Sequence, residues 1–415
     1  MGPARQRVSR EDQRVVLEGL KVVELATWVA APGCAMMLGE WGAEVIKVES
    51  FAGDPTRIYY PDTAESPGNP PFSMENRNKR GVVLDIGKPE GREALLAILK
   101  DADVFVTNLR PGPLARARLD YETLRADFPR LIFASVSGYG LTGEEADRPA
   151  FDMTGFWTRS GIASATIPPD REPFFCRPGF GDHVTALCTL SGILAALFER
   201  NRTGRGQLVE ASLMRAGVYA LSWDLSVQLR YGEVVTAQPR DERLGATAGF
   251  FQTGDSRWLS ILPRSPNCFP ALMDVIGRPE LAGEARFAPP VEDMVAVREL
   301  RAAIDAGFAG MTLAQAGERL TAADLAWAPM ATPAEVVADP QARAAGCFKD
   351  VPDTWGGSFQ QPAAPVRFPE SDERRGRPAP RLGQHTREVL LEAGYASDAV
   401  DALLRSGLAL QAEVN

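Results

Sequence analysis

The feature that most constrains this chain is a series of short apolar segments alternating with helical segments, up to about residue 137. Glycine or a polar turn bounds each segment, and one intervening helix places Ala94, Leu95, Ile98 and Leu99 on a single apolar face. Near-continuous apolar strands separated by helices are typical of a parallel sheet covered on both faces. We therefore predict a doubly wound α/β domain. The predicted strands span residues 20–26, 44–49, 81–85, 104–108 and 131–137.

The pattern changes further along the chain. Hairpin-like pieces followed by helices over residues 232–321 indicate a separate, smaller α+β domain. A stretch rich in Pro, Gly and Arg over 354–380 is typical of a surface linker or a wrapping arm. The remaining predicted elements are a buried helix over 182–200, a strand over 208–213, and helices over 214–230 and 388–404.

Composition excludes several classes of protein. The 415 residues carry 45 basic and 54 acidic side chains, a net charge of −9, which argues against a nucleic-acid binder. Five cysteines without a CxxC pair and only two histidines argue against a disulfide framework and a metal centre. The polar N-terminus does not resemble a signal peptide, and the apolar run 184–198 is shorter than the ~20 residues that span a bilayer. We expect a cytoplasmic protein with no membrane segment.

The segment 138–143 matches the G-x-G-x-x-G pattern of dinucleotide-binding loops and follows a predicted strand. Its surroundings do not fit that function. Glu144 and Glu145 lie where a pyrophosphate would need helix amides, and Pro149 ends any helix early. We interpret the segment as a turn that needs glycine dihedrals, not as a nicotinamide site.

Basic residues adjoin the predicted strands, and ligands of open α/β sheets bind at the carboxyl ends of strands. Lys79 and Arg80 precede one strand, Arg110 follows another, and Arg57 lies in the loop between strands. Together they could hold a phosphorylated cofactor. The alternative for each is a solvated surface charge.

Gly181, Asp182 and His183 open the long apolar helix. An Asp at this position is usually an N-cap, and Asp152 and His183 are equally ambiguous between structural and catalytic roles. The chain has no G-x-S-x-G motif, which argues against a serine hydrolase. The residues alone therefore indicate an α/β enzyme with a phosphate-containing ligand.

Several of these segments, in order along the chain, resemble the family III CoA-transferases, which include formyl-CoA transferase and carnitine CoA-transferase. The resemblance implies a large Rossmann-like domain formed by both chain ends (12–231 and 322–415) and a small domain (232–321). It also implies an N-terminal extension (1–11) and an interlocked homodimer. The matching segments are 20–26, 31–32, 42–49, 53–57, 78–80, 108–112, 138–140, 181–182, 194–197, 203–207 and 382–386.

By this resemblance, Asp182 is the catalytic nucleophile. It would attack an acyl-CoA thioester and pass through an acyl anhydride and an aspartyl-CoA thioester. Coenzyme A, as a substrate, would lie along Val29, Lys79, Asn108 and Arg110, and no metal is implied. An Asp at a helix start suits this role, because the amides and the dipole keep it ionised.

The chain departs from two groups of related enzymes, and each departure narrows the range of expected reactions and substrates. The α-methylacyl-CoA racemases of the same superfamily place a catalytic His where this chain has Phe151, which cannot move a proton. The tetraglycine loop of formyl-CoA transferase is absent from 232–321, and the segment 244–249 is the nearest match. Aryl-lactate CoA-transferases resemble the chain more closely at 151–156, 178–183 and 211–214, with Tyr219 following.

Four aromatic residues are candidates for an apolar acyl pocket, with core packing as the alternative for each: Trp28, Phe156, Trp157 and Trp223. We predict an acyl-CoA:carboxylate CoA-transferase whose acceptor is an apolar or aromatic acid, with 2-hydroxy acids among the candidates. The alternatives are a racemase or isomerase of the same superfamily and a non-catalytic CoA-binding protein.

Overall fold

The computed structural model describes residues 15–413, apart from 62, 64, 66–67, 235–236, 241–244, 264, 266, 292 and 372–375. The predicted N-terminal extension, residues 1–11, lies outside this described part of the chain.

Strands and helices alternate through most of the described chain. The strands are β1 (Lys21–Leu25), β2 (Glu44–Glu49), β3 (Lys79–Leu84), β4 (Val104–Thr107), β5 (Ile132–Ser137), β6 (Leu208–Ser212), β7 (Gly249–Gln252), β8 (Trp258–Ile261), β9 (Trp327–Pro329), β10 (Phe348–Pro352), β11 (Ser358–Pro362) and β12 (Ala409–Leu410). The helices are α1 (Ala30–Glu40), α2 (Pro70–Asn76), α3 (Pro89–Leu99), α4 (Pro111–Ala117), α5 (Tyr121–Asp127), α6 (Ile162–Thr166), α7 (Phe180–Thr203), α8 (Leu213–Ala220), α9 (Ser222–Tyr231), α10 (Cys268–Val275), α11 (Met294–Ala309), α12 (Leu313–Ala322), α13 (Pro333–Ala338), α14 (Pro340–Ala344), α15 (Thr386–Glu392) and α16 (Ser397–Arg405).

The main sheet has seven strands in the order β12-β3-β2-β1-β4-β5-β6. All neighbouring strands from β3 to β6 are parallel, and only the edge strand β12 runs antiparallel, against β3. The predicted doubly wound α/β architecture is confirmed. The strand order reverses direction between β1 and β4, which is where such sheets bind ligands.

Helices cover both faces of this sheet. Side chains along a strand alternate between faces, so Val22 joins the apolar cluster under α1 and α7, whereas Val23 joins the opposite cluster. The opposite cluster contains residues of α3, α5, α15 and α16. Because both faces are buried, consecutive strand positions such as Val22 and Val23 of β1 and residues 104–106 of β4 are apolar, which is why the sequence pattern revealed these strands.

Helix α7 is the longest helix of the described chain, with 24 residues. It extends beyond the predicted span of 182–200 and ends at Gly204, whose φ of +72° suits a helix C-cap. By length and composition α7 could cross a membrane, although core helices of soluble proteins pass the same test. Its buried residues Ala186, Leu190 and Ile193 pack in the cluster shared with α1.

The chain divides into two compact units. The large unit contains the described residues up to Ile167, Pro173–Val234 and those from Ala345 onward. The second unit contains Pro168–Glu172 and the described residues of Val235–Ala344. It has an antiparallel sheet, β7-β8-β9, and a core of its own around α10, α11 and α12. The second unit ends at Ala344 and therefore includes α13 and α14, whereas we predicted from the sequence that the small domain ends at residue 321.

Three predictions about the elements are wrong. The helix predicted over 214–230 is two helices, α8 and α9, separated at Leu221. The helix predicted over 388–404 is also two, α15 and α16, because Gly394 between them adopts a φ of +92°. The linker predicted over 354–380 contains β11, which forms a hairpin with β10.

Candidate active site

A cavity of about 1080 Å³ opens in the large unit at the carboxyl ends of β1, β4 and β5. Thr27 and Trp28 follow β1, Asn108 follows β4, and Gly138 follows β5 on its wall. Parallel strands place the residues after their carboxyl ends at one edge of the sheet. The site therefore lies where a ligand of a doubly wound sheet is expected.

Asp182 lines this cavity from the first turn of α7. The helix begins after Gly179, whose φ of +84° is a conformation that favours glycine. Gly181 has no room for a side chain, since a Cβ atom there would lie 2.4 Å from Asp152 Oδ1 and 2.2 Å from Phe156 Cγ. The Gly-Asp pair thus brings Asp182 to the cavity while Asp152 packs against the helix start.

Asp152, not Asp182, binds the amides at the start of α7. Its Oδ1 accepts a hydrogen bond from the Gly181 backbone N–H at 3.1 Å. In the described part of the chain, the Asp182 carboxylate has no hydrogen-bond partner. The alternative reading of Asp182 as a helix cap is therefore wrong, and its carboxylate remains available to a ligand.

The surroundings of Asp182 disfavour its charged form. The pKa of Asp182 is raised to about 7, first by burial and then by the negative charges of Asp152 and Glu75, while the neighbouring His183 opposes the rise. Burial also raises the pKa of Asp152, although amides of Gly181 and its neighbours oppose that rise. Two carboxyl groups thus lie in one poorly solvated site.

The structure adds a residue that sequence reasoning missed. Glu75, at the end of α2, has a side chain only 4% exposed, and its Oε1 lies 2.9 Å from His183 Nε2. This hydrogen bond is the main cause that raises the pKa of His183. Glu75 belongs to no recognisable motif and lies 108 positions from His183, so only the fold reveals the pair.

Three of the predicted CoA contacts line the cavity: Val29, Asn108 and Arg110. Asn108 is held in place by two bonds to Thr27, with its Nδ2 donating to the carbonyl at 2.6 Å and its Oδ1 accepting from the amide at 3.1 Å. The exposed Arg110 donates to the Asp147 carbonyl. These side chains are in reach of a ligand in the cavity.

The structure does not bring Lys79 or Arg57 to this cavity. Lys79 is fully buried, forms an ion pair with Glu24 at 2.5 Å and donates to the Pro32 carbonyl. Arg57 forms an ion pair with Glu49 at 2.7 Å and lines a separate cavity of about 390 Å³. A basic residue next to a strand can serve the core, and its ion-pair partners are not visible in local sequence.

A buried ionic network supports one wall of the cavity. Lys47 Nζ donates to Glu24 at 2.7 Å and to Asp54 at 3.0 Å, and all three side chains are fully buried. Asp54 Oδ1 accepts from the Trp28 backbone N–H at 3.3 Å. Trp28 has a φ of +70°, which costs a non-glycine residue about 1–3 kcal/mol. The network thus helps to hold a strained residue that lines the cavity.

Aromatic side chains cover much of the apolar wall. Trp28 makes edge-on contacts with Phe151 at 5.2 Å and Tyr59 at 6.3 Å between ring centroids, and Trp157 lines the same cavity. Phe156 is buried in the core beside them. Trp223 neither lines this cavity nor packs in the core, because it lies on α9 and is 83% exposed.

The loop after β5 confirms the interpretation of the G-x-G-x-x-G segment. Gly140 and Gly143 adopt φ values of +107° and +91°, so the segment is a turn that needs glycine. Residues 141–148 form turns and bends, with no helix to bind a pyrophosphate.

Taken together, the site defines an α/β enzyme with a carboxylate at a helix N-terminus, facing a large apolar cavity with arginines on its wall. The family model described as CoA-transferase family III matches residues 17–386. The chain belongs to this family.

Similar proteins share nearly the whole chain. It is 33% identical over 393 residues to the (R)-2-hydroxy-4-methylpentanoate CoA-transferase of Clostridioides difficile, covering 93% of this chain and 98% of that protein. It is 30% identical over 404 residues to the cinnamoyl-CoA:phenyllactate CoA-transferase of Clostridium sporogenes, covering 95% and 97%. A crystal structure of a CAIB/BAIF family protein from Brucella suis has a TM-score of 0.80 at 31% identity, covering 92% of this chain and 100% of that one. The protein is a CoA-transferase, and CoA thioesters are its substrates.

Proposed function

We propose that this enzyme moves CoA from an acyl-CoA donor to a carboxylic acid through covalent intermediates on Asp182. The observation that carries the proposal is the position of Asp182. It faces the cavity from the first turn of α7, while Asp152 takes the capping role at that helix start. A carboxylate with no hydrogen-bond partner in the described chain, next to helix amides, can act as a nucleophile.

The reaction needs no net proton or electron transfer. An Asp182 carboxylate oxygen attacks the donor thioester carbonyl, the C–S bond breaks, and an anhydride and a CoA thiolate result. The thiolate attacks the aspartyl carbonyl, the donor acid leaves as its carboxylate, and an aspartyl-CoA thioester remains. The acceptor carboxylate then attacks this thioester to form a second anhydride and free thiolate. Attack of the thiolate on the acceptor carbonyl gives the new acyl-CoA and restores the Asp182 carboxylate.

Coenzyme A lies along Val29, Asn108 and Arg110 in this proposal, because these residues share the cavity wall with Asp182. Arg110 has an exposed guanidinium suited to a phosphate. Lys79 and Arg57 serve the core instead, through their ion pairs with Glu24 and Glu49.

The acceptor is an apolar or aromatic acid. Trp28, Tyr59 and Phe151 present contiguous aromatic surface on the cavity wall, and Phe151 is 55% exposed. Two similar proteins are named for 2-hydroxy acids with branched or aromatic side chains, which supports a 2-hydroxy acid here. Phe151 stands where the racemases of the superfamily have their catalytic His and cannot carry a proton, which argues against a racemase.

We propose that the active form is the interlocked homodimer. In the large unit, α9 has no buried residue, and its Trp223, Leu229 and Tyr231 are exposed. Several large apolar side chains exposed on one helix favour an interface with a second copy of the chain. Light scattering should give twice the mass of one chain, and a monomer of undiminished activity would contradict the proposal.

The experiment that tests the function is a transfer assay over a panel of acyl-CoA donors and carboxylic acids, with chromatography of the new CoA thioester. We expect transfer of CoA to branched or aromatic 2-hydroxy acids. The rate of this transfer should fall by several orders of magnitude in Asp182→Asn. Asp182→Glu should also be severely impaired, since one added methylene displaces the carboxylate from its line of attack. Near wild-type transfer by the folded Asn variant would disprove the covalent mechanism.

A further inference from the structure

The mechanism above leaves one pair of titratable residues in the cavity unused. His183 follows Asp182 directly, its side chain is 51% exposed on the cavity wall, and Glu75 binds its Nε2. In the described chain, Glu75 Oε2 is buried without a hydrogen-bond partner, so the bond to His183 is the one hydrogen bond of this carboxyl group. A buried carboxylate is costly unless a cation compensates its charge.

We propose that Glu75 and His183 are positioning residues: Glu75 holds His183 as a cation beside Asp182, and this cation favours the ionised form of Asp182 that attacks the thioester. The inference rests on the proposed covalent role of Asp182. Neither residue forms a bond with substrate in this proposal, because both act through the charge of the nucleophile.

The charges around Asp182 show why such a cation is needed. Burial, Asp152 and Glu75 all raise the pKa of Asp182, and the net value is about 7 with His183 opposing them. Of the neighbouring charges that act on this carboxyl group, His183 is the one that lowers its pKa. Without it, more than half of Asp182 would be protonated, and hence not nucleophilic, at neutral pH.

The same groups act on His183. Its pKa is raised by the hydrogen bond to Glu75 and by the charges of Glu75, Asp182 and Asp152, whereas burial lowers it. The remaining cations on the described cavity wall are Arg110, Arg148 and Arg177.

The carboxyl group of Glu75 is held close to His183 by tight packing. A Cβ atom at Gly33 of α1 would lie 2.7 Å from Glu75 Oε2, so the helix backbone packs directly against the carboxyl group. The other cation affected by its charge is Lys79, which forms an ion pair with Glu24 instead. The side chain therefore has little freedom to leave His183.

The first test is the pH dependence of kcat/KM, whose acid limb reports the ionisation of Asp182 in the free enzyme. The glutamine of His183→Gln can still donate a hydrogen bond to Glu75 but carries no charge. The apparent pKa of the acid limb of kcat/KM should therefore rise by about one unit. His183→Lys restores a cation and should return the limb close to the wild-type value. His385→Gln is the matched control, because it removes the one other histidine, whose Nδ1 accepts from the Gly81 amide away from the cavity. Its limb should not move.

The second test reads His183 directly in the wild-type fold. With only two histidines, imidazole signals of ¹³C-labelled protein can be assigned by the His385→Gln variant. Coupling between two sites is reciprocal, so Asp182→Asn should lower the His183 titration midpoint by about as much as His183→Gln raises the acid limb. Glu75→Gln should lower the His183 titration midpoint by more than Asp182→Asn does, since the hydrogen bond to Glu75 is the largest cause of the raised pKa of His183.

The outcomes separate the two proposals. If a donor-derived adduct forms on Asp182 but the limb stays in place in His183→Gln, the charge role of the pair is overturned and the covalent mechanism stands. An unchanged His183 titration midpoint in both Asp182→Asn and Glu75→Gln would also overturn the charge role of the pair, even if the His183 variants of the first test failed to fold. If wild-type enzyme transfers CoA with no adduct on Asp182, both proposals fall.

Discussion

Asp152→Asn should shift the acid limb of activity towards lower pH. Asp152 is the charged neighbour that most raises the pKa of Asp182, which burial and this charge bring to about 7. Asn keeps an oxygen that can accept the Gly181 N–H, so the start of α7 should stay capped. The substitution therefore removes the charge of residue 152 and keeps a side chain of nearly the same shape.

The size of the effect follows from the position of the pKa. With a pKa of about 7, roughly a tenth of Asp182 is ionised at pH 6. Removing a like charge in a poorly solvated site lowers a pKa by about one unit, which would leave about half of Asp182 ionised at that pH. We therefore expect kcat/KM of Asp152→Asn to rise about fivefold relative to wild type at pH 6, with little difference at pH 9.

The assay is a pH series of kcat/KM with one donor and one acceptor, accompanied by thermal melts. Asp152→Ala is the companion variant, because it removes the same charge but leaves the Gly181 amide without its acceptor, at a cost of about 1–2 kcal/mol of stability. A limb that stays in place or moves to higher pH in Asp152→Asn would refute the electrostatic reasoning.

Three further changes test other parts of the structure. Arg110→Ala should raise KM for the CoA donor several-fold with little change in kcat, and unaltered binding of CoA by calorimetry would remove Arg110 from the CoA site. Lys79→Ala should instead destabilise the fold by about 3–5 kcal/mol, because it leaves Glu24 short of a partner in a buried network; an unchanged melting temperature with weaker CoA binding would contradict this. Ending the chain after Pro362 should abolish soluble expression, because it removes the edge strand β12 of the main sheet and the helices α15 and α16 that cover one face of that sheet. A soluble active truncation would disprove that dependence.

The main sheet could be predicted because its strands are buried on both faces. Val45, Ile46 and Val48 of β2 and Val104, Phe105 and Val106 of β4 are apolar for that reason, and the predicted spans 44–49 and 104–108 contain the observed strands. The edge strand β12 was missed, since two residues of antiparallel pairing leave no pattern in the sequence. Gly394 divides a helical pattern that reads as continuous, because a single glycine inside such a pattern does not by itself predict a break.

The candidate site was predicted only in part. Asp182 was found from its place in a Gly-Asp pair and from a family resemblance, whereas the choice between cap and nucleophile needed Asp152 in three dimensions. Glu75 had no local signal, since its importance comes from contact with His183, 108 positions away. Lys79 misled because a basic residue beside a strand looks the same in sequence whether it faces a ligand or an ion-pair partner in the core.

The covalent role of Asp182 is tested most directly by mass spectrometry of the enzyme after a donor CoA thioester is added without acceptor. Treatment with hydroxylamine converts an aspartyl-CoA thioester into a stable hydroxamate, which peptide mapping can locate. We expect a hydroxamate on the peptide that contains Asp182, its absence in Asp182→Asn, and its loss when the acceptor acid is present. An unmodified Asp182 in enzyme that transfers CoA at full rate, or a hydroxamate on Asp152, would contradict this role of Asp182.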